Sequence, residues 1–440
     1  MPSLDDLLHA AVAGIAGVER PGQGQMARAV AAAVESGEHL LVQAGTGTGK
    51  SLAYLVPAVV HAVNTGEPTI VATATLALQA QIIDRDLPRL ADSIAPLLGR
   101  RPTYALVKGR RNYLCAHKLE GGFPDEDDSL FGVEQVDRAA SRLGAEMVRL
   151  RAWAGETASG DRDELMPGVS ERAWRQVSVS AHECLGSRCP MVSECFVERS
   201  REAARDVDVV VTNHSFMAID AFEGRQMLPP HDLLVIDEAH ELTDRVTSTI
   251  TDELTEAMCL AAARRCAKLA DSHGTLEEAA VLLGQALDAT PEGRLTGIPD
   301  AVAMALARVR DTSRALQSEL KPASPELADG ARQVARAAVE EVYEVSARVL
   351  EERELDVVWV THEQRRGSVL RVAPMSVATL VRERVFTGRT VVLTSATLEL
   401  GGTFDAVAGT IGLRGDGAPS WQGLDVGSPF DYPQQGIAYV

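Results

Sequence analysis

Two short stretches carry groups that can handle a nucleoside triphosphate. The first, Ala44-Gly45-Thr46-Gly47-Thr48-Gly49-Lys50-Ser51, follows the apolar run Leu40-Leu41-Val42 and precedes a helical run from Ser51 to Ala62. A glycine-rich turn between strand and helix lets consecutive backbone N–H groups wrap phosphate, and the helix start adds the positive end of its dipole. In this pattern Lys50 reaches the outer phosphates and Ser51 offers its hydroxyl to Mg²⁺. The strict pattern opens on glycine where this chain has Ala44. Gly45, Gly47 and Gly49 still supply the permissive backbone. The second stretch, Leu233-Leu234-Val235-Ile236-Asp237-Glu238-Ala239-His240, is an apolar run ending in carboxylates. Four apolar residues suit a strand buried on both faces, and the carboxyl end of such a strand faces the ligand crevice of an α/β sheet. Asp237 is placed to hold Mg²⁺, and Glu238 to orient and polarise an attacking water. Either stretch alone has a bland reading, a glycine turn or a helix cap. Together they describe NTP hydrolysis.

A third set is sulfur. The six cysteines are Cys115, Cys184, Cys189, Cys195, Cys259 and Cys266. Cys184-x4-Cys189-x5-Cys195, with Cys115 upstream, offers four thiolates, which suit tetrahedral zinc or an iron–sulfur cluster. The spacing alone serves both. Cys259 and Cys266 lie seven apart in a helical segment, hence on one face, and read as core. Ahead of the phosphate loop, Gln23 and Gln25 are both eligible to hydrogen-bond a purine edge through an amide.

Positioning these groups takes a sheet. Thr69 to Ala72, Tyr104 to Val107, Val207 to Val211 and Leu233 to Ile236 read as strands separated by helical or turn-rich stretches, the repeating unit of a parallel α/β sheet. Further strands are expected at Val357 to Val360, Val369 to Val372 and Val391 to Thr394. Between Glu241 and Glu354 the chain is rich in Ala, Leu, Glu and Arg with helical periodicity, and Pro124 to Asp128 is an acidic loop. The length, 440 residues, suggests two to four domains, and 45% hydrophobic with 24% charged residues is a soluble globular composition. The N-terminal apolar run is short and preceded by Asp5 and Asp6, a poor export signal, so a cytoplasmic protein without a membrane segment is expected. A net charge of −19 gives no overall pull towards nucleic acid. Local basic clusters such as Lys108 with Arg110 and Arg111 still allow it.

The DEAH sequence and Ser395-Ala396-Thr397 together resemble superfamily 2 helicases. More specifically, RPGQGQM, AGTGTGKS, TATLALQAQ, KGRRNYLC, CLGSRCPMVSECF, VVLTSATL and SPFDYP resemble the DinG branch of XPD-like helicases along nearly the whole chain. The resemblance implies a RecA-like parallel-sheet α/β motor domain, interrupted by an iron–sulfur insert and an all-helical arch. Cys115, Cys184, Cys189 and Cys195 match the family's [4Fe–4S] ligands one by one. It implies Gln23 on adenine, residues 44 to 51 on ATP and Mg²⁺, Asp237 and Glu238 in hydrolysis, and His240 with the SAT turn coupling hydrolysis to movement. It further implies 5′-to-3′ translocation on single-stranded DNA by a monomer, and unwinding of forked or displaced-strand DNA or DNA–RNA hybrids. Lys108, Arg110 and Arg111 become candidate backbone contacts and Tyr113 a stacking candidate.

The expected division is 1–110 for the first part of the motor, 111–205 for the cluster insert, 206–245 for the DEAH part, 246–354 for the arch, 355–412 for the SAT part, and 413–440 for the start of a second motor domain. No Gln-x-x-Gly-Arg-type motif occurs, so the family's second motor domain with its arginines is expected to be missing and the chain alone to hydrolyse ATP slowly without unwinding. The rival readings are a zinc-containing, nucleic-acid-stimulated ATPase and a non-catalytic DNA-binding fragment.

Overall fold

The structure is a computed structural model that describes residues 2–121, 133–224, 227–321 and 330–431. The acidic run Pro124 to Asp128 lies outside them. Among the described residues eleven strands occur: β1 (His39–Gln43), β2 (Thr69–Thr73), β3 (Tyr104–Leu106), β4 (Val209–Asn213), β5 (Leu233–Asp237), β6 (Asp252–Leu254), β7 (Gly293–Arg294), β8 (Asp356–Glu363), β9 (Gly367–Pro374), β10 (Thr390–Ser395) and β11 (Trp421–Asp425). The chain forms two compact units, one of Met1–Lys108, Ser200–Thr249 and the part from Ser376 onward, the other of Gly109–Arg199 and Ile250–Met375.

The first unit is built on a seven-stranded sheet of order β11-β1-β10-β5-β2-β4-β3, every pair parallel. Its inner strands are continuous apolar runs, Leu40-Leu41-Val42 and Leu233 to Ile236 all buried, because helices cover both faces. Register then decides the site. Gln43 pairs with Ser395, and Thr394 with Asp237, so three chain segments far apart in sequence end side by side at one carboxyl edge.

The second unit holds a four-stranded antiparallel sheet, β6-β9-β8-β7, packed on helices Glu256–Cys266, His273–Asp288, Asp300–Glu319 and Gly330–Leu350. Cys259 and Cys266 are fully buried in this core, as expected. A smaller core around Trp174, Tyr113 and Leu150 supports the segment that bears the other four cysteines.

The expected division differs from this in three places. The strands at 357–360 and 369–372, assigned to the motor, are β8 and β9 of the second sheet. The stretch 246–354 is not wholly helical, since it contributes β6 and β7 to the same sheet. Finally, β11, assigned to a second motor domain, closes the edge of the first sheet against β1. Strand propensity tells that a segment is extended, not which sheet accepts it.

Candidate nucleotide site and cysteine pocket

The phosphate loop folds as its glycines require. Gly47 and Gly49 have φ of +81° and +85°, a left-handed backbone that suits glycine. Gly49 caps the helix Lys50–Thr65. The Thr48 hydroxyl, buried, closes the turn by donating to the Gly45 carbonyl at 2.7 Å. Ala44 is fully buried and its N–H donates to the Ser395 carbonyl at 2.9 Å, so the methyl of this departure from the strict pattern is simply absorbed by the core. Thr46 is exposed on the outer side.

Lys50 Nζ donates to Glu238 Oε1 at 3.0 Å, with the two side chains 13% and 23% exposed. Glu238 has φ +53°, a conformation that costs a non-glycine residue about 1–2 kcal/mol. That strain turns its carboxylate back towards the loop. Asp237 is buried, and burial pushes its carboxyl up to about 6, against the opposing pull of Lys50. The fully buried Tyr54 donates its phenol to Asp237 Oδ2 at 3.1 Å, and the Ser51 hydroxyl lies beside the same phenol. The Asp237 carbonyl lies 2.8 Å from Nε2 of His214, whose imidazole burial holds down at about 4 and therefore neutral. His240 Nδ1 lies 2.7 Å from Ser395 Oγ, whose hydroxyl lies 3.3 Å from Glu238 Oε2. The SAT turn is pinned from β1, where Gln43 Oε1 accepts from the N–H groups of Leu398 and Glu399 at 2.9 and 2.8 Å.

So Lys50, Ser51, Asp237, Glu238 and His240 lie together at the end of the sheet. Gln23 does not present its amide to an open pocket. It is buried on the helix Pro21–Ser36, and its Nε2 donates to the Gly49 carbonyl at 3.0 Å. The amide braces the loop, while Gln25 points to solvent. Sequence reading missed Tyr54, Gln43 and His214. Tyr54 has a signal, four residues after Lys50 and so on the same helix face. Gln43 and His214 join the site only through the sheet.

The donor set fits Mg²⁺: the Asp237 carboxylate and Ser51 hydroxyl are hard oxygen ligands. In the second unit Cys115, Cys184, Cys189 and Cys195 are half-buried free thiols lining one cavity. Burial first, then the neighbouring cysteines, pushes the Cys115 thiol up to about 11, and burial likewise raises Cys189. Three of the sulfurs meet backbone N–H groups: that of Gly186 donates to Cys184 Sγ at 3.3 Å, and those of Lys118 and Met191 face Cys115 and Cys189. Among the described residues no three such side chains close on a single ion. Four thiols of this kind suit tetrahedral zinc or an iron–sulfur cluster, the latter taking one thiolate per iron. Of the other candidates, Lys108 and Tyr113 are buried, which removes them as ready nucleic-acid contacts. Arg110 pairs with Glu198 at 2.8 Å, and Arg111 is exposed. Among the described residues no helix is long and apolar enough to cross a membrane.

A phosphate loop, an acidic pair and a hydroxyl turn at one carboxyl edge of a parallel sheet define a nucleoside-triphosphate hydrolase of the DEAD/DEAH class. The DEAD/DEAH box helicase family matches residues 22–100. The chain is 50% identical over 453 aligned residues to the ATP-dependent helicase DinG of Mycobacterium tuberculosis, a match that covers 100% of this chain and 68% of that protein. It is 29% identical to the ATP-dependent DNA helicase YoaA of Haemophilus influenzae, over 96% of this chain and 65% of that one. A solved XPD helicase aligns over 92% of this chain and 62% of its own, with TM-score 0.49 and 13% identity. The chain belongs to the DinG family of ATP-dependent helicases, enzymes that hydrolyse ATP.

Proposed function

We propose that the chain hydrolyses ATP to drive 5′-to-3′ movement along single-stranded DNA, in the unwinding of forked or displaced-strand DNA and of DNA–RNA hybrids. The observation that carries this is the contact chain Lys50–Glu238–Ser395–His240, which joins the hydrolytic carboxylate to the end of β10. A change at the γ-phosphate alters the Lys50–Glu238 pair and is felt at once by the SAT turn. Lys50 and the loop N–H groups would hold the phosphates, Asp237 and Ser51 would hold Mg²⁺, and Glu238 would orient and polarise the attacking water. When bound, Mg²⁺ neutralises charge on the phosphates. Glu238 pairs with Lys50 at 3.0 Å and lies 3.3 Å from His240 Nδ1.

Cys115, Cys184, Cys189 and Cys195 would hold a [4Fe–4S] cluster that fixes the shape of the insert. A cavity of about 600 Å³ within the second unit supports a strand path there. Among its lining side chains are Arg111, Lys118, Arg162, Arg175, Arg265 and Arg366, against three glutamates, Glu171, Glu183 and Glu341. Iron, acid-labile sulfide and zinc in protein purified without oxygen test the cluster. About four iron and four sulfide per chain, lost in Cys189→Ser, are expected. One zinc and no sulfide would favour a zinc-containing ATPase instead.

A further inference from the structure

The segment after β11, Val426 to Phe430, crosses the phosphate loop and has no part in the chemistry above. It is tied down by backbone contacts. The Val426 N–H donates to the Gln43 carbonyl and the Gly45 N–H to the Gly427 carbonyl, both at 3.0 Å, and the Gly427 N–H donates to Asp425 Oδ1 at 2.8 Å. Its side chains then fall on the loop. A Cβ on Gly45 would lie 3.0 Å from Ser428 Cβ, and one on Gly47 would lie 2.8 Å from Phe430 Cε2 and 3.4 Å from Arg20 Nη1. The aromatic ring and the guanidinium therefore flank Gly47 on its side-chain side. Of the loop N–H groups, that of Gly45 is taken by the Gly427 carbonyl and that of Thr48 by the Gly45 carbonyl. Phe430 is a wall beside the cradle and not a plug in it, and at 45% exposure its ring keeps open surface.

The Gln23 amide is buried with Nε2 held by the Gly49 carbonyl, so an edge contact there would still need a surface for the face of the nucleotide's base. We propose that Phe430, with Arg20 beside it, is the surface on which that base stacks. This rests on the reading of the loop as an ATP site and adds to it the part that holds the base. Aromatic stacking reads a π-face, not a donor–acceptor edge, and a guanidinium adds cation–π attraction.

The test is calorimetric binding of Mg·ADP and of inorganic tripolyphosphate to the full chain as wild type, Phe430→Ala and Phe430→Trp. Phe430→Ala should weaken ADP binding by roughly tenfold or more and leave tripolyphosphate within about twofold, while Phe430→Trp keeps ADP affinity. An equal loss for both ligands would show that the segment only props up the loop, and would overturn the proposal. Tighter ADP binding by Phe430→Ala would make the ring a plug and overturn it as well. If the wild type bound neither ligand, the ATP-site reading itself would fall, and the proposal with it.

Discussion

Glu238 combines a strained backbone with a hydrolytic role, and the two can be separated by substitution. Glu238→Ala and Glu238→Gly both delete the carboxylate and both leave Lys50 without its partner at 3.0 Å. Their difference isolates the φ of +53°. A left-handed alanine costs about 1–2 kcal/mol. Glycine avoids that but loses about 0.5–1 kcal/mol through the greater freedom of its unfolded chain. The glycine variant should therefore be the more stable by roughly 1 kcal/mol, or about 2–4 °C in the melting of a unit of this size. Both variants should lose about a hundredfold or more in phosphate release, the usual contribution of a positioned base. Differential scanning calorimetry without nucleotide, beside a phosphate-release assay, reads both quantities. An alanine variant as stable as the glycine one would refute the strain argument. A variant that hydrolyses ATP at the wild-type rate would refute the role of the carboxylate.

Three further expectations follow from the same geometry. Tyr54→Phe removes the bond to Asp237 Oδ2; the Mg²⁺ needed for half-maximal hydrolysis should rise roughly five- to tenfold, with the ATP requirement at saturating Mg²⁺ unchanged, as expected for one hydrogen bond of about 1 kcal/mol. Ser395→Ala removes the hydroxyl that touches both Glu238 and His240 and leaves only their direct 3.3 Å contact; unstimulated hydrolysis should persist within a few-fold while stimulation by single-stranded DNA is weakened, which steady-state assays with and without DNA will show. His214 stays neutral in the fold down to about 4, whereas the unfolded chain protonates it near 6.5, so the unfolded state binds more protons between these values and stability falls with pH. By pH 5 the loss should reach about 2 kcal/mol, and melting curves of His214→Gln should depend less steeply on pH over that range.

The nucleotide loop and the acidic pair were legible because their geometry is local: a strand, a turn of fixed glycines, a helix start. The parallel strands were legible as unbroken apolar runs. β8 and β9 carry apolar runs too, Val357-Val358-Trp359-Val360 and Val369-Leu370, so the local pattern did not tell which sheet accepts them. Gln23, in contrast, does carry a local signal. It lies three, four and seven residues before Met26, Ala27 and Val30 on the buried helix face, which distinguishes it from Gln25. Gln43, His214 and the segment ending at Phe430 carried no such mark. Each reaches the site through pairing between distant parts of the chain, which local pattern does not encode.

ATP hydrolysis by the wild type and by Lys50→Ala, each with single-stranded DNA, with single-stranded RNA and with neither, tests the central claim most directly. A slow rate in the wild type that rises with DNA and vanishes in Lys50→Ala is the predicted result. A rate that survives Lys50→Ala, or one that responds to RNA and not to DNA, would contradict it.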